Sequence, residues 1–449
     1  MRTAIVFGCA LACACLAAAA PASLEQKLDT FLRPYVTTNN FSGAVLIARD
    51  GRVLVKKSYG LANQELNVAN TPATKFQLAS LSKAFTATAV LVLEQQGRLR
   101  VEDPVARFLP DYPRSNEITI HHLLAHRSGI ANVNQLPGWD EKSRLAHTPR
   151  ELVALFRDVP LAFVPGSKFQ YANSNYILLA MIIETISGTT YADFLQKNVF
   201  GPAGMNDSGH RGTETAVIRG RASGYTPTGV DALENARYLD WSNNVGAGSL
   251  YSTVEDLYRF DRALRQDKIL VRASQQKMVQ DYGSEIGYGW FLAERFGRHF
   301  ASLAGRSPGF NSFMERSLGD DVVVIALSNN YSSIGQNLGR QLLPLLLGEP
   351  VDDPLARFTG RRGVLAESVL GQYQFGEDFA YNPGLVVRLE QIDAGIILRS
   401  EKGGDSFLLP IGDLQFIDRT YGGIVTVAPG EKPVLRWRFG KEFEAKKSP

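Results

Sequence analysis

The sequence predicts an α/β fold of the α+β type: one antiparallel sheet packed against helices, with a small β-barrel or sandwich at the C-terminus. The run FSGAVLIARDGRVLVKKSYG at 41–60 has two β-rich halves around Asp50-Gly51, which is a type I′ hairpin signal. From about Thr74 to Leu270 the periodicity is mostly helical. The β-type runs RHFASLAG, FNSFMERS and DVVVIALSN then follow. The early and late runs can therefore pair in one sheet, with the helical region inserted between them.

Composition divides the chain into three parts. Residues 1–22 begin with a basic residue, continue with an apolar run and end in Ala20-Pro21-Ala22, which is typical of a secretory signal peptide. A membrane anchor is the weaker alternative, because small residues dominate the end of the run. Residues 23–350 contain the predicted sheet and helices. The segment GEPVDDP indicates a linker, and residues 351–449 contain short β-type runs separated by turn residues.

Charge and cysteine content limit the partners and the compartment. The formal net charge is only +3 from 48 basic and 45 acidic residues, so nothing indicates binding to nucleic acid or to an anionic membrane. All three cysteines, Cys9, Cys13 and Cys15, lie in the predicted signal peptide. We therefore expect a periplasmic or secreted protein without disulfides, held together by its hydrophobic core and free of the membrane after cleavage.

One short motif points to the wrong nucleophile. Gly305-Arg306-Ser307-Pro308-Gly309 matches G-x-S-x-G, the nucleophile elbow of α/β-hydrolases. That elbow needs a strand–turn–helix context and a histidine later in the chain. The last histidine is His299, and a further β-type run follows Ser307. Ser307 is therefore not expected to be a nucleophile.

A stronger candidate lies in FQLASLSKAFTATAVLVLEQQG. Apolar residues recur there at helical spacing, and Gly97 is a plausible stop. Ser80 would begin this helix, and Lys83 would share its face, since a three-residue offset is a rotation of about 300° and a rise of about 4.5 Å. A lysine whose pKa is lowered by burial can activate a serine. The alternative is a helix-capping serine beside a solvated lysine.

A second segment shifts the balance towards catalysis. S-x-x-K alone is weak evidence, since Ser274 and Lys277 match it too. Tyr171-Ala172-Asn173 is the only Y-x-N in the chain, and it precedes another amphipathic helix beginning near Ser174. A tyrosine can transfer a proton, and an asparagine amide can hold a substrate carbonyl or the lysine. A buried tyrosine with a helix cap is the alternative.

Taken together, these segments resemble the serine hydrolases of the class C β-lactamase and penicillin-binding-protein type, a group that includes D-alanyl-D-alanine carboxypeptidases, D-aminopeptidases and esterases. The likeness runs from about Leu24 to Leu347 and includes ITIHHLLAHRSGI, NVFGPAGMNDS and AGSLYSTVEDLYRF. It implies a β-lactamase/transpeptidase-like fold with Ser80 as the acylated nucleophile. Lys83 and Tyr171 would share the base and acid roles, and Asn173 would orient the substrate. The C-terminal part looks like the lipocalin-like accessory β-barrel of some members.

The family's third motif is altered in this chain. LAGRSPGF aligns with a strand that reads Lys or His, then Thr or Ser, then Gly in the family. Leu303 and Ala304 replace the basic and hydroxyl residues, and Gly305 is retained. The resemblance implies that the backbone N–H of Arg306 joins that of Ser80 in an oxyanion hole. Loss of the basic residue weakens the case for β-lactams and for peptides with a free carboxylate. Arg306 either replaces it in part, if the strand ends before it, or is a solvated rim residue, since side chains three positions apart on a strand point to opposite faces.

The sequence gives no motif for a cofactor. His122 and His126 have the i, i+4 spacing of a helical metal pair, but no H-E-x-x-H motif or third ligand accompanies them. We therefore expect neither a metal nor a cofactor. The predicted function is serine hydrolysis of a small-molecule or peptide substrate, with esters or small amides first, D-amino-acid peptides second and β-lactams third. The rival hypothesis is a non-catalytic cell-wall-binding protein; the oligomeric state is not predicted.

Overall fold

The fold is that of a computed structural model, which describes residues 22–448 except 213–214, 333, 352, 359, 361, 378, 380–383, 401–404, 421 and 440. The predicted signal peptide lies outside the described residues apart from Ala22. The predicted fold class is confirmed, with helices, an antiparallel sheet and a C-terminal barrel.

The helices and strands alternate in blocks along the chain. The helices are α1 (Leu24–Thr37), α2 (Ser82–Gln95), α3 (Ile120–Leu124), α4 (Trp139–Lys142), α5 (Pro149–Ala154), α6 (Asn173–Ser187), α7 (Tyr191–Leu195), α8 (Gly201–Ala203), α9 (Val254–Arg265), α10 (Arg272–Met278) and α11 (Ile334–Leu347). The strands are β1 (Gly43–Arg49), β2 (Arg52–Tyr59), β3 (Leu61–Asn63), β4 (Val68–Ala69), β5 (Phe76–Gln77), β6 (Gly209–His210), β7 (Tyr225–Thr228), β8 (Ala232–Asn235), β9 (Leu250–Ser252), β10 (Phe291–Arg295), β11 (Arg298–Ser307), β12 (Phe310–Ser317), β13 (Val322–Ser328), β14 (Gly371–Phe375), β15 (Val386–Ile392), β16 (Gly395–Ser400), β17 (Ser406–Pro410), β18 (Gln415–Asp418), β19 (Ile424–Ala428), β20 (Val434–Phe439) and β21 (Lys441–Lys447).

The main sheet joins the two ends of residues 23–350, called the first domain below. Among the described residues its order is β10-β11-β12-β13-β1-β2, and each pairing is antiparallel. The predicted hairpin at Asp50-Gly51 is present, with φ of +52° and +72° at the two turn residues. Because side chains alternate along a strand, Leu46 packs into the core under the helical region, while Val45 and Ile47 pack against α1 and α11. Burial on both faces explains why β1 is continuously apolar.

The helical region places α2 at the centre of the main core. Every residue of α2 from Ser82 to Leu93 is buried, as expected for a helix that is apolar on all sides. The sequence prediction missed the short strands in this region. β5, β9 and β6 form a small sheet, and β7 and β8 form a hairpin. Strand β9 lies beside α2, and the loop before β9 contacts Lys83, as described below.

In the described part of the C-terminal region, strands β14 to β21 close into a barrel. Closure removes the exposed edges that an open sheet of this size would leave. The barrel has its own core, which includes Tyr373, Phe416 and Trp437. Outside this barrel core, Leu409, Ile411 and Ile417 pack into the core that α1 and α11 form with the main sheet.

A buried arginine fastens the barrel to the first domain. Arg419 follows β18, is only 2% exposed, and donates hydrogen bonds to the carbonyl oxygens of Gly229, Thr38 and Val230. Ser332 in turn donates to the carbonyl oxygen of Arg419 at 3.2 Å. Burial lowers the pKa of Arg419 to about 9, so its guanidinium stays charged at neutral pH. The barrel therefore docks through a charge held by backbone carbonyls of the first domain.

Across the described residues, no single helix has the length and apolar character needed to cross a membrane. One bent pair, Asn173–Ser187 with Tyr191–Ala203, meets the criteria by length and composition only.

Replacing Arg419 with methionine should lower the free energy of unfolding by about 2 kcal/mol or more, because two buried carbonyls and one partly buried carbonyl lose a charged donor. Urea unfolding midpoints measure the change. Arg399→Met is the matched control, since this barrel arginine pairs at the surface with Glu390 and Asp405; we expect it to cost less than about 1 kcal/mol. Equal shifts in the two variants would contradict a docking role for Arg419.

Candidate active site

Ser80 lies on a tight turn immediately before α2. The chain leaves β5, makes a 3₁₀ turn over Ala79–Leu81 and enters the helix. Ala79 has φ of +47°, a left-handed conformation that is unusual for a residue with a side chain. Its neighbour Leu78 is held on both sides, because its N–H donates to Leu250 at 2.8 Å and its carbonyl accepts from Ser312 Oγ at 2.5 Å. The surrounding strands thus hold the serine in a fixed, half-buried position.

Lys83 points into this turn from the first turn of α2. Its Nζ lies 3.2 Å from Ser80 Oγ, as the predicted helical spacing requires. The same nitrogen donates to Asn173 Oδ1 at 2.7 Å and to the carbonyl oxygen of Ala247 at 2.8 Å. The side chain is 1% exposed, and this burial brings the pKa of Lys83 well below the usual 10.5. Such a lysine is poised to be a neutral amine next to the serine.

Tyr171 is the second group that contacts the hydroxyl of Ser80. Its hydroxyl donates to Ser80 Oγ at 2.8 Å, and Lys83 Nζ lies 4.9 Å from the centre of its ring. Burial raises the pKa of Tyr171 to about 12, although the hydrogen bond with Ser80 acts in the other direction. The tyrosine therefore keeps its proton at neutral pH.

Asn173 is the first residue of α6, one position earlier than the predicted helix start. Its Oδ1 accepts from Lys83, and its Nδ2 donates to Asn134 Oδ1 at 2.6 Å. Its backbone N–H donates to Asn132 Oδ1 at 3.1 Å. In this structure the Asn173 side chain is thus engaged with the lysine and with the loop around Val133. The sequence did not predict Asn132, Asn134 or the Ala247 carbonyl, since contacts between residues far apart in the chain have no local sequence signal.

Strand β11 brings the altered third motif against the serine turn. A side chain on Gly305 would place its Cβ 2.0 Å from the Leu78 carbonyl oxygen and 2.9 Å from Ser80 N, so only glycine fits. β10 pairs with β11 only as far as Ser302, which leaves the following stretch of that edge facing the Ser80 turn. Leu303 is 3% exposed and packs in the main core. The position of the family's basic residue is therefore apolar and closed.

The side chain of Arg306 leaves the site in the direction of the barrel. Because side chains alternate along β11, Arg306 lies on the same face as Ala304, opposite Gly305 and Leu303. Its guanidinium donates to the carbonyl oxygen of Thr420 and lies 5.3 Å from the centre of the Tyr331 ring. Its contacts are therefore with the barrel and the segment after β13.

Ser307 does not have the context of a nucleophile elbow. It is the last residue of β11, and the chain turns through Pro308-Gly309 into β12, so the arrangement is strand–turn–strand. Its Oγ is buried and has no hydrogen-bond partner among the described residues. The expectation that Ser307 is not activated agrees with this geometry.

The histidines do not form the helical pair that their spacing suggests. Helix α3 ends at Leu124, and His126 has φ of +55°, so His122 and His126 do not share a helix face. His122 instead takes part in the N-terminal capping of α3 with Thr119. Within the described ranges, no three His, Cys, Asp or Glu side chains come together as a metal site would require.

Comparison with known proteins identifies the family of this chain. A family model described as Beta-lactamase matches residues 28–345. Penicillin-binding protein 4* of Bacillus subtilis (strain 168) is 32% identical over 373 residues, covering 78% of this chain and 82% of that protein. The resemblance inferred from the sequence motifs is thereby confirmed.

Solved structures show the same fold at lower identity. The octameric penicillin-binding protein homologue from Pyrococcus abyssi has a TM-score of 0.67 at 22% identity, over 95% of this chain and 100% of that chain. The D-amino acid amidase from Ochrobactrum anthropi SV3 has a TM-score of 0.64 at 24% identity, over 72% of this chain and 99% of that chain. The chain belongs to the β-lactamase family, in its penicillin-binding-protein-like group of serine hydrolases.

Proposed function

We propose that the protein is an exported serine hydrolase that cleaves ester or small amide bonds through an acyl-enzyme on Ser80. The observation that carries this proposal is the buried Lys83 amine, fixed beside the serine by two oxygen atoms. Export rests on the signal-like residues 1–22. A mature protein whose N-terminus still includes these residues would argue against it.

Lys83 is the proposed general base. A neutral amine has two N–H groups and one lone pair. Asn173 Oδ1 and the Ala247 carbonyl accept two hydrogen bonds, at 2.7 and 2.8 Å, which leaves the lone pair for the third neighbour, Ser80 Oγ at 3.2 Å. Lowering of the lysine pKa by burial favours this state. The serine can then pass its proton to the nitrogen as it attacks.

Tyr171 is the proposed general acid. With a pKa raised to about 12, its hydroxyl keeps its proton at neutral pH and donates to Ser80 Oγ at 2.8 Å. During bond formation this oxygen becomes bonded to the substrate, and the leaving group comes within reach of the same phenol. Base and acid thus both contact one oxygen atom.

The proposed reaction balances as follows. Ser80 Oγ bonds to the carbonyl carbon while its proton moves to Lys83, and the carbonyl π electrons move onto the oxygen. When the tetrahedral intermediate collapses, the bond to the leaving alcohol or amine breaks, and Tyr171 supplies that group's proton. Lys83 then returns a proton to the phenolate. Water attacks the acyl-enzyme with the same proton transfers, releasing the acid and restoring Ser80.

The negative charge on the intermediate needs donors near Ser80. We assign this role to the backbone N–H groups of Ser80 and Arg306, since the close approach of Gly305 brings β11 against the serine turn. Preorganised backbone donors of this kind are commonly a large contribution to acyl transfer.

The altered third motif favours substrates without a carboxylate near the scissile bond. Leu303 is buried and apolar, Ala304 has no hydroxyl, and the Arg306 guanidinium lies against the barrel. A carboxylate bound there would lose its charged partner and its hydrogen bonds. We therefore place neutral esters and small amides first and D-amino-acid peptides second.

Penicillin-type compounds are the third candidate, motivated by the 32% identity to a protein named for penicillin binding. Their carboxylate would meet the same apolar position, so we expect slow acylation of Ser80 compared with a neutral ester. The arrangement of Ser80, Lys83 and Tyr171 argues against a protein that binds the cell wall without catalysis.

A fluorophosphonate probe should modify Ser80 in the wild-type protein, and Ser80→Ala should abolish the labelling. Mass spectrometry of the digested protein locates the adduct. Ser307→Ala and Ser274→Ala are matched controls, because both serines lie in short catalytic-like motifs, and labelling should persist in each. An adduct on either of those serines, or unchanged labelling of Ser80→Ala, would overturn the proposal.

Lys83→Ala and Tyr171→Phe should each lower kcat by roughly 10²-fold or more, the usual scale for an acid–base group. Because both residues act on one oxygen, the double variant should be little slower than the slower single variant. Steady-state kinetics on a neutral ester measure the three rates. Fold reductions that multiply in the double variant would contradict a shared proton-transfer unit.

Arg306→Ala should change kcat/KM by the same factor for a carboxylate-bearing ester and for its neutral analogue, since the guanidinium lies against the barrel. Arg298→Ala is the control and should leave both values unchanged, because this half-buried arginine at the start of the same strand pairs with Asp320 instead. A loss confined to the charged ester would show that Arg306 replaces the missing basic residue of the third motif.

A further inference from the structure

His126 packs against the ring of Tyr171, the proposed general acid. It is 2% exposed, and its ring contacts the rings of Tyr171 and Tyr176 in tilted arrangements. The ring centroids lie 4.5 Å from Tyr171, at an interplanar angle of 31°, and 5.1 Å from Tyr176, at 35°. The face of the Tyr171 ring is therefore supported by an imidazole.

The same histidine fixes the backbone on both sides of Tyr171. Its carbonyl oxygen accepts from the N–H of Gln170 at 2.9 Å, and its Nδ1 accepts from the N–H of Ala172 at 3.2 Å. Asn175 Nδ2 lies 3.4 Å from the same Nδ1. Since the residues immediately before and after Tyr171 are both bonded to His126, the tyrosine has little freedom to shift along the chain.

These contacts require a neutral imidazole with a free lone pair on Nδ1. A protonated ring would place a second N–H against the Ala172 N–H and would lose that hydrogen bond. Burial, and secondly the charge of Lys83, hold the pKa of His126 well below the usual 6.5. A neutral ring also avoids a second buried positive charge when Lys83 is protonated, as it is after taking the Ser80 proton.

The backbone of His126 is itself unusual. Its φ of +55° is left-handed, which costs free energy for a residue with a side chain. Ala172, which it bonds, directly precedes the first residue of α6. The conformation aims the imidazole at the Tyr171 segment, and the surrounding contacts hold it there.

We propose that His126 is a positioning residue for Tyr171, which holds the phenol hydroxyl 2.8 Å from Ser80 Oγ by packing against the ring and by accepting the Ala172 hydrogen bond. This inference rests on the proposed function of Tyr171 as a proton donor. Misplacement of a catalytic group by about 1 Å can cost roughly 10²-fold in rate, so the effect should be measurable.

Two substitutions at His126 separate its ring contact with Tyr171 from the hydrogen bond that it accepts from Ala172. His126→Phe keeps a flat ring but removes the acceptor, and His126→Asn offers an acceptor oxygen near the position of Nδ1 but removes most of the ring. We expect His126→Phe to lower kcat by about 10-fold to 100-fold with little change in KM, and His126→Asn to recover part of that loss. His121→Phe is the matched control: it lies in the same segment, contacts Tyr288, and should leave kcat unchanged.

The decisive measurement is the effect of His126→Phe on kcat in a protein that already carries Tyr171→Phe. If His126 acts through the Tyr171 hydroxyl, His126→Phe should have little further effect on kcat there. A full additional loss in that background, or an equal loss of kcat in His121→Phe, would overturn the proposal and leave His126 a core residue only. Phosphonate labelling of Ser80 in the wild-type protein, done in parallel, shows whether the proposed function itself holds.

Discussion

The burial of one lysine amine is the constraint on which the site depends. Because helix α2 is buried on all sides, the side chain of Lys83 lies in the core. A charged amine there would cost free energy, since it would lose its hydration. Its two fixed acceptors, Asn173 Oδ1 and the Ala247 carbonyl, come from α6 and from the loop before β9. The base is therefore assembled only when three distant segments of the chain pack together, which ties the chemistry directly to the fold.

The second constraint is the approach of strand β11 to the serine turn. Gly305 permits this contact, and the adjoining Arg306 extends from the same strand to the barrel carbonyl of Thr420. Arg419, next to Thr420, is buried between the barrel and the first domain. The strand beside the nucleophile is therefore in contact with the C-terminal barrel, although the barrel contributes no side chain to the Ser80–Lys83–Tyr171 cluster in the described structure.

Local patterns predicted much of this arrangement. Periodicity and turn residues identified the hairpin of β1 and β2 and the helices carrying Lys83 and Asn173. They also predicted that the early and late strands share one sheet, but not the order of the strands in it. The β-type runs recognised in residues 351–449 did not include β14, β18 or β21, which are short or largely polar. Whether such a segment forms a strand depends on its neighbours in the sheet more than on its own sequence. Spacing also suggested a helical pair for His122 and His126, which the end of α3 at Leu124 excludes. Contacts such as Lys83 with Ala247, 164 positions away, leave no local signal.

The central claim is that Lys83 is a neutral base beside Ser80, and the pH dependence of acylation tests it most directly. The rate of acyl-enzyme formation on a neutral ester, measured by stopped flow, should rise with pH as Lys83 loses its proton and then stay level until Tyr171 ionises near its pKa of about 12. We predict that the rising limb has a pKa well below the 10.5 of an ordinary lysine, because burial disfavours the charged amine. A rising limb with a pKa of about 10.4, or the same limb in Lys83→Ala, would contradict the claim.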